Sequence, residues 1–399
     1  ALSFEILIKP IMIITESKHI KLYYYSVIII KKLVTYNFVP VNAAKEVINI
    51  VKELFDNSSE EIQLKILETL QSMINSNKIA IDNDSINNIL SISCKMFSVK
   101  SVEFKNPIKL LLKTVIKVTF EQIYNDKANK EKISTGIEII KTLLDIVEGK
   151  KKEWIAPSMY SKCLGIELLS TAILTSSNLF IESEECANVI KNEILSVIQK
   201  ILPITNDLIV GAKLMRLSLI IISKVHICYD LIETILKFAE RDNLSWQKII
   251  GLEGLCEMFN STGLLFHLFK KNKELYEKII NRLTDITYKN VIVKKSGDSM
   301  NNKKSELKKG ESTNSKMMKT LHNDSILVEG DSMNIPISFG YLFKLLCECY
   351  VNLKNSFVQI MEDNELKVNI KHSELTKEQN DIKNFIQFQY FPIKGALIG

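Results

Sequence analysis

Histidines and cysteines are the residues of this chain that could bind a metal or carry out redox chemistry. Their spacing argues against either function. The five histidines lie far apart, so no two share one helical face at metal-ligand spacing. Cys347 and Cys349 are the one close pair of cysteines. On a helix, a step of two residues turns about 200° and points the two thiols to nearly opposite sides. We therefore predict ordinary buried cysteines and no metal site.

Glycines and carboxylates offer little catalytic chemistry either. Gly251 and Gly254 lie within a predicted helix rather than in a phosphate-binding loop, and close helix packing explains them better. The paired glutamates at 60–61 and 184–185 stand at predicted helix starts, where carboxylates complement the helix dipole. The sequence contains neither a nucleophile-elbow motif nor a Walker-type lysine loop. We predict that the chain is not an enzyme and takes no cofactor, metal or small-molecule substrate.

Aromatic residues are the better candidates for binding another protein. Tyr23, Tyr24 and Tyr25 are consecutive on a predicted helix, so they cannot all face inward, and at least one is expected at the surface. An exposed aromatic side chain is a common anchor of protein interfaces. Trp154 and Trp246 each stand near a predicted helix entrance, where core packing is the alternative to partner binding.

Helices are the elements that must position these residues. Hydrophobic residues make up 46% of the 399 residues, enough for a large core, whereas 13 Gly and 7 Pro are too few for a protein of many short strands. Between Asn42 and Asp56, apolar residues recur at steps of three and four, which is typical of an amphipathic helix. The chain length favours two domains or a stack of repeats over one globular core.

Similar periodicity predicts helices along most of the chain, separated by capping and breaking residues. The starting signals include a capping box at Ser58 and Glu61, Asp84, and Asn106 followed by Pro107. Each pair of helices with its loops spans about 40 residues, the spacing of HEAT and armadillo repeats. We therefore predict an all-α fold, an α-solenoid of antiparallel helix pairs. Further predicted helices span residues 134–148 (with a stop at Gly149), 157–175, 184–201, 206–224, 227–240, 245–260, 272–288, 337–361 and 375–388.

Charge and cysteine content narrow the class of partner. The net charge of +6 is mild, and no basic stripe interleaved with aromatics accompanies it, so we predict no nucleic-acid binding. Seven scattered cysteines indicate a reducing, cytoplasmic compartment. The most apolar stretch, residues 208–222, is interrupted by Lys213 and Arg216, which is typical of a buried helix rather than a membrane span. Residues 289–335 are rich in Lys, Asn and Ser without apolar periodicity and are predicted to be a disordered insertion, either a solvated linker or a weak membrane contact.

Several segments of the first half resemble a known family. They are similar to the dimerisation and cyclophilin-binding (DCB) domain that opens the large Sec-seven-type Arf exchange factors and their non-catalytic Mon-two-type relatives. The helix order also fits, although the first helices of such a domain are expected to be missing before Ala1. The segments are residues 4–15, 21–22 with 28–34, 41–44 and 59–70.

Segments of the second half are more similar to the Mon-two-type proteins than to the exchange factors. They are residues 153–154, 164–169, 214–217 and 244–259, with a weaker likeness at 339–357. The chain carries neither the Asn-Tyr-Asp-Cys box of the region upstream of the catalytic module (HUS) nor a Sec-seven module. The resemblance divides the chain into a DCB-like domain (1–149), a HUS-like segment (150–288), the insertion (289–335) and further helices (336–399).

The resemblance also implies a function. A Mon-two-type protein is expected to be a peripheral scaffold at Golgi, trans-Golgi or endosomal membranes, acting in vesicle traffic through self-association and contacts with Arf-like or Arl-type GTPases and other trafficking factors. Two alternatives remain at this point. The chain is either the N-terminal regulatory part of a large Arf exchange factor, or a HEAT-type transport adaptor. The adaptor alternative predicts acidic inner stripes for basic cargo, and none is clear in the sequence.

Overall fold

A computed structural model places residues 3–56, 58–76, 83–99, 102–151, 158–225, 229–240 and 245–259, together with Glu274, Lys278, Ile279, Asn281 and Arg282. The structural description is confined to these residues. All regular elements within them are helical, and none is a strand. The predicted insertion and the helices predicted at 337–361 and 375–388 lie outside these ranges, as do Trp154, Cys347 and Cys349.

The first compact unit comprises residues 1–197 and is built from consecutive helices. A single 3-10 turn, Val41–Ala43, precedes the third helix. The helices are α1 (Phe4–Glu16), α2 (Ile20–Thr35), α3 (Ala44–Asp56), α4 (Glu60–Ile74), α5 (Asn83–Val99), α6 (Val102–Asn125), α7 (Lys130–Glu148), α8 (Met159–Thr175), α9 (Ser177–Glu182) and α10 (Glu184–Val189), followed by a π-helical turn, Ile190–Ile194, and by α11 (Leu195–Ile201).

Helices two apart in the chain pack on each other in this unit. The even-numbered helices α2, α4, α6 and α8 form one layer, and α1, α3 and α5 form the other. Each helix buries an apolar stripe between the layers, as in α3, where Val47, Val51 and Leu54 are fully buried. This stacking of antiparallel pairs confirms the predicted α-solenoid, since every pair contacts mainly its neighbours.

Polar side-chain contacts between α3 and α5 indicate the length of the repeat. Three pairs join the exposed sides of these helices, and in each pair the partners are 39 residues apart, which matches the predicted unit of about 40 residues. The pairs are Lys45 with Asp84, Asn49 with Asn88 at 3.1 Å, and Asp56 with Lys95 at 3.3 Å.

The second unit begins at Ile198, within α11, and its further described helices are α12 (Leu208–Val225), α13 (Tyr229–Glu240) and α14 (Ser245–Phe259). They follow a 3-10 turn, Leu202–Ile204. The α14 helix packs on both α12 and α13. Gln247, fully buried on α14, donates from Nε2 to the carbonyl oxygen of Thr205 at 2.7 Å and ties α14 to the entrance of α12.

Helix ends were predicted less well than helix existence. Gly149 does end α7, in the left-handed conformation (φ 78°) that favours glycine. The capping box at Ser58 and Glu61 is wrong: the Ser58 hydroxyl donates to the Phe55 carbonyl, and α4 begins at Glu60. The start at Asn106 is also wrong, because α6 begins at Val102 and accommodates Pro107, whose side chain is exposed, near its beginning.

Candidate docking surface

The α1 helix carries two apolar stripes although only one faces the core. Phe4, Ile8 and Ile11 are buried at helical spacing against the neighbouring helices. Ile6 and Ile13, seven residues apart, lie on the opposite side and are more than half exposed. The outer side of a surface helix is usually polar, so two large exposed aliphatic side chains on that side of α1 are unusual.

The α2 helix repeats this arrangement over a greater length. Its buried side includes Tyr23, Val27 and Ile30. A second, exposed stripe lies at Leu22, Tyr25, Ile29 and Tyr36, with exposed fractions of 41, 62, 44 and 68% respectively. With Lys32 included, the positions follow steps of three, four, three and four, the spacing of a helix–helix seam.

Exposed apolar side chains are concentrated in this part of the chain. Of the twelve large hydrophobic side chains that are exposed among the described residues, eight fall between residues 6 and 38. Isolated exposed apolar residues are ordinary, whereas a concentration of them on two consecutive helices is a candidate interaction surface. We call this surface the α1–α2 face and define it by Ile6, Ile13, Leu22, Tyr25, Ile29 and Tyr36.

The exposed stripe of α2 lies away from the contact of this helix with α4. On its other flank α2 packs against α4, where the Lys31 ammonium donates to the Glu68 carboxylate at 2.7 Å. This hydrogen bond lowers the pKa of Glu68. The exposed stripe lies about 150° around α2 from Lys31. It is therefore on the side of α2 turned away from α4.

The three consecutive tyrosines have three different environments. Tyr23 is a core residue, only 1% exposed. Tyr24 is half-buried, and its ring meets the ring of Tyr25 edge to face with centroids 5.7 Å apart. Tyr25 belongs to the α1–α2 face. Of the three, Tyr25 is thus the one positioned to contact a partner, and that role stays a prediction.

Trp246 lies in the core of the second unit. It is 2% exposed, and its ring packs edge to face on Phe238 with centroids 5.9 Å apart. Gly211 lies directly under the indole, where an added Cβ would stand 2.9 Å from the ring. Trp246 therefore packs in the core, and its side chain is not accessible to a partner in this conformation.

The described cysteines are buried, and the described metal-ligand side chains are dispersed. Cys94, Cys163, Cys186 and Cys256 are buried thiols. Burial raises the pKa of Cys94 to about 12, which makes its thiol unreactive at neutral pH. Within the described ranges, no three His, Cys, Asp or Glu side chains come together as metal ligands, and no helix has the length and apolar character to span a membrane.

Sequence reasoning missed most of the α1–α2 face. It singled out Tyr25 but not Ile6, Ile13, Leu22 or Ile29, because apolar periodicity alone assigns such residues to the core. The signal that could have found them is the presence of two apolar stripes on one helix.

Two family models match the chain. Residues 2–127 match the Mon2/Sec7/BIG1-like dimerisation and cyclophilin-binding (DCB) domain, and residues 133–271 match the Mon2/Sec7/BIG1-like HUS domain. The chain belongs to the Mon2-type family. The recognised resemblance is thereby confirmed, and the α1–α2 face of this Mon2-type chain lies wholly within its DCB domain.

Curated relatives share this assignment. The chain is 19% identical over 320 residues to the protein MON2 homolog of Drosophila melanogaster, covering 68% of this chain and 19% of the relative. It is 20% identical over 242 residues to the protein MON2 homolog of Schizosaccharomyces pombe, covering 57% of this chain and 15% of the relative. The Mon2-type chain thus spans less than a fifth of the length of these relatives. Among solved structures, an engineered protein matches with a TM-score of 0.31 and 11% identity, covering 96% of this chain and 90% of that chain.

Proposed function

We propose that this Mon2-type chain is a non-catalytic scaffold in vesicle trafficking that acts through protein–protein contacts. The observation that carries the proposal is the order of a DCB domain followed by a HUS domain over residues 2–271. Neither of these is a catalytic domain. In the proposal, residues 1–149 and 150–288 are the two functional segments.

The solenoid supports a scaffolding role on physical grounds. Stacked helix pairs present long side surfaces that accept partners without a pocket. The α1–α2 face adds the apolar, partly aromatic surface that such contacts need. The name of the DCB family also refers to dimerisation and to the binding of a protein, cyclophilin.

The proposed setting is the cytoplasmic side of Golgi, trans-Golgi or endosomal membranes, with peripheral association. The proposed partners are Arf-like or Arl-type GTPases, other trafficking factors and a second copy of the chain. The support for this setting is the relation of the Mon2-type family to Sec7-type proteins.

A binding experiment tests the proposal. Purified chain is passed over immobilised Arf-like GTPases loaded with GTP or GDP, while a tagged copy is imaged in cells. We expect retention on at least one GTPase and punctate, membrane-associated signal. Absence of binding to every GTPase together with diffuse signal would overturn the proposal.

A second candidate function follows from the family description, which groups Mon2 with Sec7 and BIG1. In that alternative the chain regulates the exchange activity of a Sec7 module encoded in the same transcript. Release of labelled GDP from Arf, measured with the module alone and with this chain attached, distinguishes the two. A change in the rate favours the regulatory role.

A further inference from the structure

The α6 helix carries a row of lysines at four-residue intervals. Between Phe104 and Phe120 its sequence contains no acidic residue. Each step of four residues turns the helix by about 40° beyond one full turn, so the row is about 18 Å long and winds by about 120°. Rows of this spacing form the inclined ridges along which a second helix packs. We call this row the α6 lysine stripe and define it by Lys105, Lys109, Lys113 and Lys117.

The α8 helix runs beside the stripe in the same direction. Near the start of α8, the Tyr160 ring centroid lies 4.1 Å from the Lys105 ammonium. Just after the end of α8, the Ser176 hydroxyl donates to the carbonyl oxygen of Phe120 at 2.9 Å. The stripe therefore follows the seam between α6 and α8 over the length of α8.

The sequence of α8 offers this stripe one carboxylate. Glu167 is the one acidic residue of α8. Its Oε2 lies 2.5 Å from the Lys109 ammonium and 3.1 Å from the Lys113 ammonium, and its side chain is only 12% exposed. The seam thus already shows how the stripe binds an acid, with one carboxylate held between two lysines that are a turn apart.

The two outer lysines of the stripe have different surroundings. Lys105 is half-buried, and its cation–π contact with Tyr160 orients the ammonium without neutralising its charge. The Lys117 side chain is 60% exposed, and its pair with Glu121 on the same helix, at 3.8 Å, is one of the weak exposed kind. Leu110 lies between these lysines in sequence and is 57% exposed. The stripe therefore combines accessible positive charge with an exposed aliphatic side chain.

We propose that the α6 lysine stripe docks an acidic amphipathic helix of a protein partner, with carboxylates at four-residue intervals and an aliphatic side chain against Leu110. The inference rests on the proposed scaffold function and gives the chemistry of one partner. Charge complementarity along a helical ridge favours this occupant, because acids spaced by four on a second helix match the spacing of the lysines. An anionic membrane also attracts lysines, but a bilayer contacts fully exposed side chains. Lys109 and Lys113 are only 20 and 31% exposed and lie against α8.

Fluorescence anisotropy with the full chain tests the proposal. The probe is a labelled helical peptide of about 18 residues with glutamate at every fourth position and leucines beside them, long enough to match the stripe. We expect binding in the micromolar range that weakens as salt is added. A peptide of the same composition, with its glutamates redistributed around the helix, should bind more weakly.

Paired substitutions locate the site. Lys105→Gln with Lys117→Gln leaves Glu167 with both of its lysines, and we expect the dissociation constant of the peptide to rise by a factor on the order of 10. The matched control, Lys130→Gln with Lys141→Gln, removes two exposed lysines of α7 and should leave binding unchanged. Circular dichroism checks that both variants fold.

Three outcomes would overturn the inference. They are the absence of peptide binding at low salt, an equal loss of binding in the α7 control, and stripe-dependent binding to phosphatidylserine–phosphatidylcholine vesicles without binding to the peptide. The last result would assign the stripe to a membrane surface. Because the peptide is titrated with purified chain, its failure to bind is distinguishable from a failure to bind GTPases or to localise in cells.

Discussion

Two glycines of α14, Gly251 and Gly254, should respond differently to replacement by alanine. A Cβ added at Gly251 would stand 2.7 Å from the Ala239 Cβ, 2.8 Å from its Cα and 2.9 Å from its backbone nitrogen. None of these atoms can move without shifting α13. A Cβ at Gly254 would instead meet the Met215 side chain, with Sδ at 2.8 Å, and a methionine can change rotamer.

The magnitudes follow from two opposing effects. Replacing a helical glycine by alanine stabilises the helix by about 1 kcal/mol, through propensity alone. Overpacking against a rigid backbone costs about 1 to 3 kcal/mol, and contacts this short place Gly251→Ala at the upper end or beyond. We therefore expect Gly251→Ala to lower the free energy of unfolding by about 1 to 3 kcal/mol, and Gly254→Ala to change it by less than about 1 kcal/mol.

Urea denaturation of the two variants beside wild type is the assay. Trp246 fluorescence, in a Trp154→Phe background that leaves it the only tryptophan, reports the second unit specifically. Circular dichroism of the same samples monitors the whole chain, since two units need not unfold together. Equal destabilisation by the two substitutions, or a neutral Gly251→Ala, would refute the close approach of α13 and α14.

Three further predictions concern the first unit. Tyr23→Ala should destabilise this unit by about 3 to 5 kcal/mol in thermal or urea unfolding, because a fully buried ring is lost. Tyr25→Ala should change the stability by less than about 1 kcal/mol, because the Tyr25 ring is exposed. Similar losses for the two variants would place both rings in the core. Cys94 should react with a thiol reagent at pH 8 only after unfolding, since burial raises its pKa to about 12, and rapid labelling of the folded chain would contradict its burial. Glu68→Gln should cost a few tenths of a kcal/mol at pH 7, since the ion pairs with Lys31 and Lys65 are part-exposed. Because the pKa of Glu68 is lowered in the folded state, the difference from wild type should begin to shrink as the pH falls through the ordinary value of 4.5, and it should disappear below the folded-state pKa. A difference that did not shrink with falling pH would exclude the ion pairs as its cause.

The helical fold was predictable because segments of helical apolar periodicity alternate along the chain with residues that end helices. The stripe of α3 and the left-handed Gly149 at the end of α7 were both visible in the sequence. Helix starts were less predictable, because several polar residues in a row can cap. Asn129, whose side chain accepts from two backbone amides, caps α7, yet its sequence context does not distinguish it from Ser134.

The first unit also contains a helix that periodicity did not reveal. The α9 helix, Ser177–Glu182, has six residues, fewer than two turns, and so provides no repeating pattern. Its position depends on tertiary contacts: Phe180 stacks on Phe120 with centroids 6.0 Å apart, and the Ser176 hydroxyl donates to the Phe120 carbonyl at 2.9 Å. Long-range contacts of this kind leave no local signature in the sequence.

In a solenoid, apolar periodicity alone cannot distinguish an exposed surface from a buried one. In a stack, each helix needs an apolar flank for the helix two positions before it and another for the helix two positions after it. The outer stripe of α2, which includes Tyr25 and Ile29, is therefore apolar, as the buried side of the same helix is. What separates this stripe from the core is the exposure of Tyr25 and Ile29, which the structure gives and the apolar pattern does not.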